Sequence, residues 1–100
     1  MSGRIESSGT HGFRVLGEIT FETAKDLDGF PERWGEIRQV DVDFSETGDT
    51  DSAAAALLLD WVNVARASGR ELRFTGVPAR LQDLIRVYGL TPLLDAAIAR

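Results

Sequence analysis

The chain has 100 residues, of which 43% are hydrophobic, a common size for one domain around one core, so we expect a single domain over residues 1–100. Its formal net charge of −5 disfavours a nucleic-acid surface, because the eleven basic residues are scattered rather than clustered. Cysteine is absent, which excludes disulfides, thiolate nucleophiles and cysteine-based metal sites.

The apolar pattern predicts neither a secretory signal nor a membrane span. The N-terminal residues lack the apolar region of a signal peptide. The longest uninterrupted apolar run covers the seven residues 53–59, far short of the roughly 20 that a spanning helix needs. We therefore expect a cytoplasmic protein.

The first third of the chain is predicted to hold a hairpin and a helix. Residues 4–7 and 13–16 are strand candidates, and a glycine-containing turn at 9–12 joins them. A helix is predicted over 21–34 with Thr20 as its N-cap, since a threonine hydroxyl accepts hydrogen bonds from the first free amides of a helix. A glycine and a proline weaken the second half of this helix.

A strand and a long helix are predicted in the middle of the chain. In residues 39–44, three apolar residues alternate with two aspartates, which is the period of a strand with one buried face. The period becomes helical over 52–68, and Gly69 is placed to end the helix. The predicted core stripe of this helix consists of Ala54, Leu58, Trp61, Val62 and Ala65.

The last third adds one strand and two helices. Residues 71–76 form a strand candidate with Leu72 and Phe74 on one side. A helix over 78–88 begins at a proline and ends at a glycine, and a short helix begins at Thr91. The residues predicted to share one face of the 78–88 helix are Leu81, Leu84, Ile85 and Tyr88. The order β-β-α-β-α-β-α-α predicts an α/β fold whose sheet is mixed, because crossovers join parallel strands and the hairpin is antiparallel.

The chain carries no enzyme signature: it lacks a nucleophile elbow, a phosphate-binding loop and a dinucleotide-binding turn. His11, the only histidine, lies beside a glycine in a turn, so a surface turn accounts for it better than a catalytic role. Asp41, Asp43, Asp49 and Asp51 lack the oxygen spacing of a calcium loop, and solvated or capping carboxylates account for them better. We therefore predict no catalytic residue, no bound metal and no cofactor.

Two interpretations apply to the start of the long helix. In the first, Asp51 and Ser52 form an N-cap that stabilises the helix by about 1 kcal/mol. In the second, the four alanines at 53–56 leave a shallow, uncharged surface from which the Ser52 hydroxyl projects toward another polypeptide. The outward stripe of that surface is predicted to run through Ser52, Ala55 or Ala56, Leu59, Asn63 and Arg66.

The sequence resembles the STAS domain, the fold of bacterial anti-sigma factor antagonists and of the cytoplasmic ends of sulfate transporters. The resemblance is carried by VDVDF, by TDSAAAALLLDWVNVARASGREL and by RFTGVPARLQDLIRVYGL. Within that family it is most similar to the MlaB-like branch, stand-alone domains that bind the ATPase subunit of an ABC complex moving phospholipids between the bacterial membranes. The resemblance implies a mixed sheet of four to five strands with an opening hairpin, packed against three to four helices.

The residues at the start of the long helix distinguish the branches of the family. Anti-sigma factor antagonists have Asp-Ser-Ser-Gly here and accept phosphate on the second serine, whereas this chain has Asp51-Ser52-Ala53-Ala54. Ala53 cannot accept phosphate. MlaB-like proteins have a single hydroxyl at the position of Ser52, where the ATPase is contacted, so the resemblance favours the transport branch.

The resemblance therefore implies a non-catalytic subunit that binds and stabilises or regulates the ATPase, and that is cytoplasmic and peripheral to the inner membrane through its partner. Tyr88 is a second candidate contact, expected beside the start of the long helix, or else a core tyrosine with its hydroxyl at the surface. The predicted partner-binding residues are Asp51, Ser52, Ala53, Ala55, Ala56, Leu59, Asn63 and Tyr88.

An alternative is a regulator that binds an anti-sigma factor or a serine kinase, with Ser52 as the phosphorylated residue. A phosphate there would be favoured by the helix N-terminus and opposed by the charges of Asp49 and Asp51. These opposed effects leave open whether the surroundings of Ser52 favour or disfavour a phosphate there.

Overall fold

The central element of the fold is a five-stranded sheet. The computed structural model describes residues 3–98. The strands are β1 Arg4–Ser8, β2 Gly12–Ile19, β3 Gln39–Asp43, β4 Thr47–Thr50 and β5 Glu71–Thr75. The strand order is β1-β2-β3-β5, and β4 pairs with the end of β2. Because β1 and β2 are antiparallel while the other pairs are parallel, the sheet is mixed, and the predicted fold class and opening hairpin are confirmed.

The register of the sheet places large apolar residues in one row on its inner face. Val42 of β3 lies opposite Phe13 of β2 and Phe74 of β5, and all three side chains are buried. The neighbouring residues Asp41 and Asp43 are only half-buried, because successive side chains of a strand point to opposite faces. The alternation predicted for 39–44 is therefore confirmed.

The longest helix, α1, spans Ser52–Ala67. All five residues of its predicted core stripe are buried, and Leu58 and Trp61 are fully buried. The Trp61 ring contacts the ring of Phe30 with centroids 4.7 Å apart, so α1 joins the aromatic part of the core.

The prediction of one helix over 21–34 is wrong. Two 3₁₀ helices take its place, at Ala24–Leu27 and Phe30–Trp34. Pro31 in the first turn of the second segment lacks an N–H and cannot continue a preceding helix, which explains the interruption. Thr20 is not the N-cap either: the residue before the first 3₁₀ helix is Thr23, and Thr20 contributes its carbonyl, which accepts from the amides of residues 23 and 24.

Strand β4 was not predicted, because its residues TGDT show no apolar alternation. It forms through pairing with β2, where Thr47 lies opposite Gly17 and Thr50 opposite Ile19. The Thr47 hydroxyl also donates a hydrogen bond of 2.8 Å to the carbonyl of Val15. This strand leads the chain directly into α1.

Two further helices, α2 Ala79–Val87 and α3 Thr91–Leu94, complete the covering layer. Leu81 and Ile85 are buried and Leu84 is half-buried, but Tyr88 is 57% exposed. The apolar face predicted for α2 thus ends before Tyr88, because α2 stops at Val87 and the chain turns at Gly89, whose φ is +70°. No helix within residues 3–98 is long and apolar enough to cross a bilayer.

Candidate protein-interaction site

Asp51 fixes the start of α1. Its backbone is extended, and its carboxylate oxygen Oδ1 accepts a hydrogen bond of 2.9 Å from the amide of Ala53. Its own amide donates to the carbonyl of Ile19 at the end of β2. Asp51 is therefore the N-cap and Ser52 the first helical residue, and the capping interpretation of this segment is confirmed.

The same carboxylate also holds the segment that follows β2. Oδ2 of Asp51 accepts a hydrogen bond of 3.0 Å from the amide of Phe21, whose side chain is 84% exposed. A large aromatic side chain is thus fixed at its backbone but left almost entirely in solvent. Such exposure of a phenyl ring beside a polar anchor is typical of protein-interaction surfaces.

Phe21 and α1 together form a shallow groove of about 420 Å³, which we call the α1-start surface. Ser52 and Ala56 are exposed on it, Ala53 is half-buried, and Leu57 forms its buried floor. The residues that line the groove are Phe21, Ala24, Asp28, Ser52, Ala53, Ala56, Leu57 and Asp60. The groove is open, so a partner can approach its residues closely.

One predicted contact residue lies inside the protein. Ala55 is only 1% exposed, because Ala55, Leu58 and Val62 follow the helical spacing i, i+3, i+7 on the core face. Ala56, one residue later and about 100° around the helix, is the exposed alternative. The outward line of α1 therefore runs through Ser52, Ala56, Asp60 and Asn63, all of which are exposed. Leu59 is half-buried and packs against the core.

The expectation of an uncharged surface is also wrong. Asp28 and Asp60 both line the groove and are exposed, while no lysine or arginine of the described range 3–98 lines it. The sequence pattern could not place them together, since Asp28 directly follows the first 3₁₀ helix and Asp60 belongs to the second half of α1.

Tyr88 does not line the α1-start surface. Arg80, at the start of α2, donates a hydrogen bond of 3.0 Å from Nε to the carbonyl of Thr50, so the beginning of α2 adjoins this segment. Tyr88 comes eight residues later, about 12 Å along the helix. Its exposure at the other end of α2 also excludes the core position considered for it.

Phe21 is the residue that sequence reasoning missed. The predicted helix over 21–34 would make Phe21 an ordinary residue of a first helical turn. In the structure, strand β2 ends at Ile19 and the chain bends at Thr20, so Phe21 lies in a turn. The available signal was an aromatic side chain immediately after the polar end of an apolar strand. Elsewhere, residues 3–98 contain no group of three His, Asp or Glu side chains placed to hold a metal ion.

Comparison with known proteins gives a family and a fold. The family model described as "Mlab, STAS domain" matches residues 5–95. No curated protein matches the chain in sequence.

Several solved structures share the architecture. A sulfate transporter family protein from Wolinella succinogenes aligns with a TM-score of 0.72 at 18% identity, covering 95% of this chain and 80% of that chain. The anti-sigma factor antagonist SpoIIAA in its unphosphorylated form aligns at 0.63 and 11% identity, covering 85% and 82%. The Bacillus cell fate determinant SpoIIAA in its phosphorylated form aligns at 0.67 and 13% identity, covering 98% and 89%. At these identities the likeness establishes the fold alone.

Proposed function

The chain belongs to the MlaB family of STAS domains, and from this premise we propose that it binds the ATPase subunit of an ABC complex that transports phospholipids. STAS domains are in general non-catalytic regulatory or interaction domains. The observation that carries the proposal is the exposed Ser52 hydroxyl on the α1-start surface, beside the exposed ring of Phe21. The ATPase would be contacted there.

The composition of the surface supports protein recognition. Phe21 offers a large apolar contact that the chain itself does not cover, and Ala53 and Ala56 let a partner backbone approach closely. The single hydroxyl of Ser52 supplies a directional polar contact among these apolar groups. Asp28 and Asp60 give the surface a negative charge, which favours a partner carrying lysine or arginine at the matching position.

Binding through this surface would stabilise the assembled complex and would not catalyse a reaction. A subunit that binds the folded ATPase and not its unfolded form stabilises the folded form by mass action. If it binds one conformation of the ATPase more tightly, it also shifts the population toward that conformation. In this role the chain would be cytoplasmic and held at the inner membrane by its partner.

The second candidate is a regulator of the anti-sigma factor antagonist type, controlled by phosphorylation of Ser52. The likeness to SpoIIAA, solved in phosphorylated and unphosphorylated forms, favours it, as does the exposure of Ser52 at a helix start. Two observations oppose it. The Asp51 carboxylate would repel a phosphate on Ser52, and the Ala53 amide already donates to that carboxylate, so it is not free to bind the phosphate. The transport function is therefore our first proposal.

Copurification from the native host tests the proposal. The tagged chain should retain an ABC ATPase, and Ser52→Arg should abolish retention, because a bulky cation at an exposed helix start blocks close approach without disturbing the core. Ala67→Arg is the matched control, since it places the same side chain at the exposed far end of α1. Retention of a serine kinase or an anti-sigma factor instead would establish the second candidate, and unchanged ATPase retention by Ser52→Arg would contradict the assigned surface.

A further inference from the structure

A second cavity, of about 570 Å³, lies at the opposite end of α1 from Ser52. We propose that it binds a small amphipathic anion, an apolar chain or ring that carries a carboxylate or phosphate group. The cavity lies between the last turns of α1, the first residues of β5 and the segment of α3 and its C-terminal continuation. Its volume is within the range usual for small-molecule sites.

The floor of this cavity is apolar. Val62 and Ala65 of α1 and Ala97 after α3 are buried, and Leu72 of β5 is half-buried beside them. Leu93 of α3 also lines the cavity and is 42% exposed. These groups supply contact area for an apolar ligand body, whose burial is favourable in proportion to the area removed from water.

The charge of the cavity is opposite to that of the chain. Among residues 3–98, Arg66, Arg70 and Arg73 line it together with one acid, Glu71, although the chain as a whole has a formal charge of −5. Three guanidinium groups around one cavity favour an anion, because the potential in a concave site with apolar walls is focused there.

Within the described part of the chain, the guanidinium groups of two of these arginines have no partner. The side chains of Arg66 and Arg73 make no hydrogen bond or ion pair within residues 3–98, whereas the side chains of Arg4 and Arg86 each pair with a carboxylate. Asp41 lies opposite Arg73 in the ladder but accepts a hydrogen bond from the side chain of Gln39 instead. The donors of Arg66 and Arg73 are therefore available to a ligand, and a guanidinium binds carboxylate or phosphate through paired hydrogen bonds.

Arg70 has a different role. Its Nε donates a hydrogen bond of 2.8 Å to the carbonyl of Ile37, its Nη2 donates to the carbonyl of Gly35, and its guanidinium lies 5.9 Å from the centroid of the Trp34 ring. These contacts fix the group at the cavity wall. It contributes charge at a set position and leaves direct ligand contact to the other two arginines.

The edge of β5 adds a backbone donor. In the parallel ladder, the amide of Glu71 donates to Arg38 and the carbonyl of Thr75 accepts from Phe44, so residues 71, 73 and 75 bond to β3. The amides of Leu72 and Phe74 consequently face the other edge. Phe74 donates to the carbonyl of Ala97 at 2.7 Å, while Leu72 lines the cavity. An anion there meets the Leu72 amide as well as the guanidinium groups.

Titration with matched probes, followed by the amide resonances of Val62, Leu72 and Leu93, tests this site. Below their micelle concentrations, decanoate and decyl phosphate should bind, and inorganic phosphate and decanol should each bind at least about tenfold more weakly, because each lacks one half of the recognition. Equal binding of inorganic phosphate would make this a simple anion site, and equal binding of decanol would make it an apolar cavity without anion recognition. Either result would overturn the proposal.

Arginine variants provide a second test of this site. Arg66→Ala combined with Arg73→Ala should weaken decanoate binding at least about tenfold, since each lost charged hydrogen bond is costly in an apolar site. Arg4→Ala combined with Arg86→Ala removes the same charge elsewhere and should leave binding unchanged. Arg73→Gln alone, which keeps most of the side-chain volume, should also weaken binding. Wild-type affinity in both Arg73 variants would refute the site, whatever the result of the ATPase experiment.

Discussion

The amide of Phe21 donates a hydrogen bond of 3.0 Å to Oδ2 of Asp51, thirty residues further along the chain. The other oxygen of this carboxylate caps α1 at the amide of Ala53. One side chain therefore fixes both the aromatic group and the helix start that form the α1-start surface. The geometry of the surface depends on Asp51 even though a partner need not touch it.

Asp51→Ala should lower both stability and partner binding. Loss of the N-cap costs about 1 to 2 kcal/mol in the free energy of unfolding, and release of the Phe21 amide loosens the segment that presents the ring. Urea unfolding and calorimetric titration with the ATPase measure the two effects. Asp49→Ala, an exposed carboxylate next to the same turn, is the control and should change neither. A variant with normal binding would show that the Phe21 segment is held by other contacts.

Phe21→Ala should weaken partner binding by more than about 1 kcal/mol, as truncation of an aromatic anchor does. The free energy of unfolding should stay within about 0.5 kcal/mol of the original, because the side chain is almost fully exposed. Val87→Ala provides the control, since Val87 is an exposed apolar residue outside the α1-start surface. Equal affinities for both variants would remove Phe21 from the proposed interface.

Leu58→Ala should destabilise the fold by about 2 to 5 kcal/mol, because Leu58 is fully buried and its removal leaves a cavity. Trp61→Ala should cost about 3 to 5 kcal/mol for the same reason, with loss of the contact to Phe30 in addition. Thermal and denaturant unfolding measure both. A melting curve like that of the original protein for either variant would mean that the core face of α1 is misplaced.

Gly76→Ala should cost more stability than Gly69→Ala. Both glycines have a positive φ, +63° and +69°, so alanine at either position costs about 1 to 2 kcal/mol in backbone strain. At Gly76 the new Cβ would also lie 2.9 Å from the amide nitrogen of Ser45, whereas at Gly69 it would meet nothing within 4 Å. The difference in unfolding free energy between the two variants isolates the steric contact, and equal values would exclude it.

The parts of the fold with a regular apolar period were predictable from the sequence. Strand β3 and the core stripe of α1 follow periods of two and 3.6, and both predictions are confirmed. The 3₁₀ segments and β4 were not predictable in the same way. The ring of Phe30 packs against Phe13 and Trp61, and the ring of Trp34 packs against Phe30. Strand β4 forms only because β2 offers it an edge for pairing.

The candidate site was predictable only where local sequence decides geometry. The Asp51 cap and the exposure of Ser52 follow from the polar pair at a helix start, and both are observed. To decide whether Ala55 or Ala56 is exposed, the rotation of α1 about its axis must be known. Four identical alanine side chains give no information about that rotation. The position of Phe21 depends on a hydrogen bond across thirty residues, and no local pattern signals it.

The single helix α1 separates the two surfaces proposed for this chain. From Ser52 to Arg66 it advances fourteen residues, about 21 Å, and one side of it is buried in the core. At that separation a bulky protein at one tip and a small molecule at the other do not collide. We therefore expect that the domain can hold both proposed ligands at the same time, with α1 as the spacer between them.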